Sequence, residues 1–253
     1  MNPKRNILVT GAGSGLGRGL CQAFSHSGHR LFVTDQILDR AKETLQGIGA
    51  NGSAHTLDVT SEADIAAFFN DIGDQHVDVL INNAGVQHVA KLEDFAQEKW
   101  DLLIDVILKG SYLVTQAALP LMRQQGYGRI VNIGSIHSLI ASPFKSAYTA
   151  AKHGLLGFAK TIALESADVD VTINTICPAY IRTPLVEAQI KDQAKTHSIS
   201  EEEVVEKIML QPMPKGTFIT PQEVAATIEF LCSDMARNIT GQTIVIDGGW
   251  TVR

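Results

Sequence analysis

The sequence predicts an α/β protein: a doubly wound sheet of about seven parallel strands with helices on both faces, in one domain over 1–253. Short β-branched runs alternate with longer helical patterns, which implies parallel pairing through crossover helices. Ile7-Leu8-Val9 and Val79-Leu80-Ile81 are apolar throughout, as strands covered on both sides are. A glycine-rich turn follows the first strand and opens the first helix, which makes the sheet Rossmann-type.

The elements follow in order. The apolar run after Asn6 predicts a strand at 6–10, and the glycine turn leads into a helix at 15–27. A strand at 30–34 precedes a helix at 38–46; a strand at 53–57 precedes a helix at 62–72. A fourth strand at 77–82 leads to a long helix at 98–125, ended by Gly126-Tyr127-Gly128. A strand at 129–133, a long helix at 147–167 and a strand at 171–176 come next. A helix at 221–232 and a last strand at 243–246 close the pattern. One stretch breaks the rhythm. Residues 184–220 are charged, include Pro212 and Pro214, and read as a substrate lid rather than a separate domain. Ser200 and Glu203 have capping-box spacing for a lid helix.

Composition narrows the function. With 21 basic and 27 acidic side chains the net charge is −6, and no basic stripe suits a nucleic acid. Cys21, Cys177 and Cys232 form no CxxC pair, so reduced thiols in a cytoplasm are expected. The opening apolar run is too short for a signal core, and no run of about 18 apolar residues predicts a membrane span. His26, His29, His55, His76, His88, His153 and His197 have no metal-ligand spacing, so no metal is expected. Trp100 and Trp250 read as packing residues, Trp250 near a subunit contact.

The turn Thr10-Gly11-Ala12-Gly13-Ser14-Gly15-Leu16-Gly17 predicts a pyrophosphate site. Its glycines allow close backbone approach, and the helix start offers unpaired N–H groups. Asp35 ends the second strand 24 residues after Gly11, where a carboxylate can accept from a ribose diol and repel a 2′-phosphate. No arginine precedes Arg18 in the loop, so NAD is expected over NADP. Asp58 and Val59, after the third strand, are candidates for the adenine; an ordinary helix-leading Asp is the plain alternative. Asn82-Asn83-Ala84-Gly85 and Pro178 end two further strands, and ligands gather at such carboxyl ends. Tyr148 and Lys152 are four apart, on one face of a helix, with Ser135 a short loop upstream. A nearby ammonium favours a phenolate, so a tyrosine of lowered pKa suited to carbonyl/alcohol interconversion is expected.

Together, Thr10-Gly11-x-x-x-Gly15-x-Gly17, Asn82-Asn83-Ala84-Gly85, Ser135 and Tyr148-x-x-x-Lys152 resemble the short-chain dehydrogenase/reductase family over essentially the whole chain. The resemblance implies that Tyr148 is the general acid/base, that Ser135 bonds the reacting oxygen, and that Lys152 holds the nicotinamide ribose. It also implies a cofactor contact set extending to Asn83, Ala84, Gly85, Pro178, Ile181 and Thr183, and a homotetramer on the two long helices. Two departures stand out. Ile107 occupies the place of the Asn that helps hold a relay water in the family, and Ala179 follows Pro178 where Gly is common. An isoleucine cannot bond that water.

Further stretches, among them Gly85-Val86-Gln87-His88-Val89-Ala90, Ser135-Ile136-His137, Lys145-Ser146-Ala147-Tyr148 and Thr183-Pro184-Leu185-Val186-Glu187-Ala188-Gln189, resemble the D-3-hydroxybutyrate dehydrogenases. That resemblance places Gln87, His137, Lys145 and Gln189 around a substrate carboxylate and Tyr180 at an aromatic wall, beside Ser135 and Tyr148. It implies NAD-dependent oxidation of (R)-3-hydroxybutyrate to acetoacetate and the reverse. Two rivals are an NAD(P)-dependent 3-oxoacyl thioester reductase and, because of Ile107, an NAD-binding sensor or scaffold of low turnover.

Overall fold

The computed structural model describes residues 4–49 and 51–252. Expectations for residues 1–3 and for the side chain of His197 lie outside what it describes. Seven strands form one sheet: β1 (Asn6–Val9), β2 (Arg30–Asp35), β3 (Gly52–Thr56), β4 (Val79–Asn82), β5 (Gly128–Ile133), β6 (Val171–Pro178) and β7 (Thr243–Ile246). Their order is β3-β2-β1-β4-β5-β6-β7, and every pair is parallel. The winding reverses between β1 and β4, and a crevice opens at such a switch point.

The strand period of two sorts the core onto the two faces. Ile7, Val9, Leu31, Val33, Val79 and Ile81 pack under α1 (Gly15–His26), α2 (Leu38–Ile48) and α9 (Pro221–Leu231). Leu8, Phe32, Leu80 and Ile130 pack under α3 (Glu62–Ile72), α5 (Gly110–Gln125) and α6 (Ser146–Glu165). The uninterrupted apolar strands thus follow from two covered faces.

The helix expected at 98–125 forms as one run over Gln97–Gln125, in which a wider π turn over Asp105–Lys109 links α4 (Gln97–Ile104) to α5. Gly110 N–H bonds to Asp105 O across it, and Ser111 Oγ donates to Ile107 O at 2.7 Å. Gly110 packs against the Val59 side chain, where a Cβ would lie 2.6 Å from Val59 Cγ2. The run Gln97–Gln125 is long and apolar enough, by length and composition alone, to cross a bilayer, contrary to the sequence expectation. Its apolar side chains Leu113, Val114, Ala118 and Met122 are buried in the core.

Residues 184–220 contain α7 (Pro184–His197), α8 (Glu201–Val204) and a π turn over Val205–Leu210. The Ser200–Glu203 capping box forms in both directions. Val186, Ile190, Val204 and Met209 make a small apolar cluster of their own against Tyr180 and Phe218.

Candidate active site

A cleft of about 680 Å³ runs along the carboxyl ends of the strands. At one end the glycine turn is shaped by backbone demands. Gly11 (φ +63°) and Gly15 (φ +53°) sit in the left-handed region, and a Cβ on Gly11 would come 2.9 Å from Ala84 Cα. Ser14 precedes α1 in extended conformation with no side-chain cap, and Ser14, Gly15 and Leu16 line the cleft. The first-turn N–H groups of α1 therefore suit a phosphate anion.

Thr10 and Gly17 depart from the expected cofactor contact set, because neither lines the cleft. Thr10 is 1% exposed. Its Oγ1 accepts from Asn83 N and Ala84 N, both at 3.0 Å, tying the ends of β1 and β4 together. Asn83 Nδ2 returns a bond to Thr10 O at 2.8 Å. Gly17 is needed for packing: a Cβ would lie 2.5 Å from Gly11 O. Both shape the turn from behind.

Asp35 is buried at the end of β2, where Oδ2 accepts from Gly13 N (3.1 Å) and Oδ1 from Ile37 N (3.0 Å). It lines the cleft beside Gln36 and Arg40. Arg18 is engaged elsewhere, donating to Gly13 O at 2.5 Å and Thr44 Oγ1 at 3.0 Å. Arg40 was not singled out in the sequence; its place in the first turn of α2, five residues past Asp35, is the signal that marks it. Asp58 and Val59 line the cleft, and Asp58 also fills the plain alternative role: Oδ1 accepts from Thr60 N (2.9 Å) and Thr60 Oγ1 (2.7 Å) ahead of α3. Asn83, Ala84, Gly85, Pro178, Ile181 and Thr183 line the cleft as expected. The residues present fit a nicotinamide dinucleotide: a glycine cradle, a helix start for the pyrophosphate and a carboxylate for a ribose diol.

At the other end Ser135, Tyr148 and Lys152 converge. Ser135 lies two residues past β5 and caps a short helical turn; its Oγ accepts from His137 N at 3.1 Å and is hydrogen-bonded to Tyr148. Lys152 Nζ donates to Ile133 O at 2.5 Å and lies 5.6 Å from the Tyr148 ring centroid. The expected lowering of the Tyr148 pKa is not what this arrangement gives. Burial pushes the phenol up to about 12, with the Ser135 bond pulling the other way, and burial pushes the Lys152 ammonium down to about 8. Desolvation outweighs mutual attraction at this separation, so the chain by itself holds Tyr148 as a neutral phenol.

A stability consequence follows. Lys152 titrates at about 8 in the folded chain against 10.5 in the ordinary lysine. The unfolded chain then binds more protons between those values, so folding stability rises with pH across that window, and below it the buried ammonium is destabilising. Lys152→Met is expected to abolish turnover yet stabilise the fold at pH 7 by roughly 1–3 kcal/mol, several degrees in Tm. Differential scanning calorimetry at pH 7 and pH 11 checks this: the gain shrinks at the higher pH.

Gln87, His137, Lys145, Tyr180 and Gln189 all line the cleft around Ser135 and Tyr148. Lys145 is buried, its Nζ 5.8 Å from the Tyr180 ring centroid, and among the described residues no carboxylate pairs with it. Burial lowers its pKa. His137 is pushed down to about 4 by burial and then by Lys145, so its imidazole is neutral at pH 7. Trp250 stacks at 5.7 Å on Tyr180, which places it behind this pocket. Apolar Leu102, on α4, and Val106, in the π turn, also line the cleft; they were not singled out because neither carries a local sequence mark.

The family model described as enoyl-(acyl carrier protein) reductase matches residues 11–251. The chain belongs to the short-chain dehydrogenase/reductase family. It is 42% identical to a D-beta-hydroxybutyrate dehydrogenase of Rhizobium meliloti, over 98% of this chain and 99% of that one. It is 40% identical to a D-beta-hydroxybutyrate dehydrogenase of Cupriavidus necator, over 98% of each. A 3-oxoacyl-(acyl-carrier-protein) reductase of Thermotoga maritima is 34% identical over 97% of each. The protein is an oxidoreductase that uses a nicotinamide dinucleotide.

Proposed function

We propose that this protein oxidises (R)-3-hydroxybutyrate to acetoacetate with NAD, and runs the reverse reaction. The observation that carries the reading is Lys145, a buried cation with no carboxylate partner among the described residues, beside Ser135 and Tyr148. A buried ammonium without a counter-charge is costly. A small substrate carboxylate would supply that charge, with amide donors from Gln87 and Gln189 and His137 in the wall beside them. The neutral alcohol carbon then sits toward Tyr148. Ser135 would bond the reacting oxygen, and Tyr148 would take the hydroxyl proton. The bound oxidised nicotinamide supplies the hydride acceptor, and its positive charge favours the phenolate that burial alone opposes. Lys152 would hold the adjoining ribose from its anchor on Ile133. Residues 184–220 would act as the lid, with Gln189 on α7 closing over the carboxylate. Exposed Tyr112, Leu121 and Leu164 on α5 and α6 support a homotetramer built on those helices.

The test is NADH formation from (R)-3-hydroxybutyrate against its S enantiomer; equal rates would remove the assignment.

Arg40 gives the thioester-reductase rival its one foothold, since a guanidinium in the cleft wall could meet a 2′-phosphate. Asp35 opposes it by like charge. Asp35→Ser is therefore expected to swing preference toward NADP by roughly 100-fold or more in kcat/KM, because like-charge juxtaposition costs several kcal/mol. Cofactor titration of both proteins reads this out.

A further inference from the structure

We propose that the proton released on alcohol oxidation leaves the site through Ser135, His137 and Ser142. The inference rests on the reading of Tyr148 as proton acceptor and adds the route that resets it. The inner station is the hydrogen bond between Tyr148 and Ser135. Ser135 Oγ lies 3.3 Å from His137 Nδ1, and His137 Nε2 lies 2.8 Å from Ser142 Oγ. Ser142 is half-buried at the rim, between exposed Ala141 and Pro143. A line of exchangeable hydrogens thus joins the half-buried phenol to the half-buried Ser142 hydroxyl.

The other surroundings of Tyr148 offer less. The cluster of Leu103, Ile107, Ala147, Ala151 and Leu155 packs against it with apolar side chains. Lys152 Nζ donates to the Ile133 carbonyl, which accepts a bond but holds no proton to pass on. His137 has the opposite character. A neutral imidazole carries one N–H and one bare nitrogen, so it can take a proton at one side and release one at the other. Its backbone N–H donates to Ser135 Oγ, which holds the ring in register with that hydroxyl. With Nδ1 bare and Nε2 protonated, every O–H and N–H along the line points outward.

The balance is simple. As hydride leaves carbon, the substrate hydroxyl proton goes to the Tyr148 oxygen. Tyr148 O–H then gives its proton to Ser135 Oγ, and Ser135 passes its own hydroxyl proton to His137 Nδ1. His137 releases the Nε2 proton to Ser142 Oγ, and Ser142 gives its hydroxyl proton to water. One bond to hydrogen forms and one breaks at each station. The phenolate is restored, one proton has left, and no electrons have moved along the route.

Ser142→Ala cuts the exit while keeping His137 in the pocket. Steady-state oxidation is measured in H2O and D2O, with and without added imidazole, using 3-hydroxybutyrate or whichever secondary alcohol is turned over. The expected result is a fall in kcat of about 10-fold or more, within the range for a lost proton-transfer group. KM for the alcohol stays within about twofold, the solvent isotope effect on kcat rises, and imidazole restores the rate in proportion to its concentration. Ser142→Thr, which keeps the hydroxyl, should retain the native rate. An unchanged kcat and isotope effect in Ser142→Ala overturns the relay. So does a raised KM without imidazole rescue, which would mean that Ser142 only positions His137. Failure of 3-hydroxybutyrate as a substrate would count against the proposed function alone, since the relay is read with any alcohol that turns over.

Discussion

Tyr148→Phe is expected to lower kcat by about 10³-fold or more, at the upper part of the range for a positioned acid/base. The phenol is hydrogen-bonded to Ser135 and faces Lys152 across its ring. Removing its oxygen leaves the Ser135 hydroxyl to bond the reacting oxygen but nothing to take the proton. The ring itself remains, so the apolar cluster of Ile107, Ala147 and Leu155 keeps its packing. The fold should lose only the hydrogen bond to Ser135, about 1 kcal/mol. Cofactor affinity, followed by NADH fluorescence, should stay within about threefold, because a mutation that removes a transition-state interaction leaves ground-state binding in place. Persistence of turnover at the native rate would remove Tyr148 from the chemistry.

Lys145→Met is expected to raise KM for 3-hydroxybutyrate by roughly 100-fold, since truncating one partner of a buried charge pair costs 2–5 kcal/mol. The free protein should become more stable at neutral pH, because the change removes a buried ammonium that has no carboxylate partner among the described residues. Those two signs together discriminate a binding role from a structural one. A lysine that merely supported the fold would give a lower Tm instead. Saturation kinetics and a thermal melt on the same preparation check both.

The sheet was legible because its signal is local. Leu8 and Val9 must both be buried when helices cover both faces, and no half-exposed strand tolerates that run. The glycine turn was legible for a similar reason: positive φ at Gly11 and Gly15 and the approach to Ala84 leave little room for other residues. Tyr148 and Lys152 were legible through helical spacing, and the placement of Lys145, His137, Gln87 and Gln189 in one cleft followed from the resemblance.

What was not legible depends on distant partners. The π turn within the helix at Asp105–Lys109 accompanies Gly110 meeting Val59, a residue from the far side of β4 in sequence. Thr10 reads as a ligand contact until β4 is seen to take its hydroxyl. The direction of the Tyr148 pKa depends on desolvation by the surrounding fold, which four-residue spacing cannot report. Arg40 enters the cleft only because α2 turns back beside Asp35. Ile107 marked a missing polar group in the sequence; the structure packs its side chain in an apolar cluster with Leu103, Ala147, Ala151 and Leu155.

The most direct measurement is the ratio of kcat/KM for (R)-3-hydroxybutyrate to that for butan-2-ol, with NAD, in the native protein. The two alcohols share the reacting centre and differ in the carboxylate that Lys145 would pair with. A preference of about 10³-fold or more for the acid is expected, the scale at which a site built for a polar group rejects an analogue that lacks it. Comparable values for the two would contradict the carboxylate anchor and the substrate assignment that depends on it.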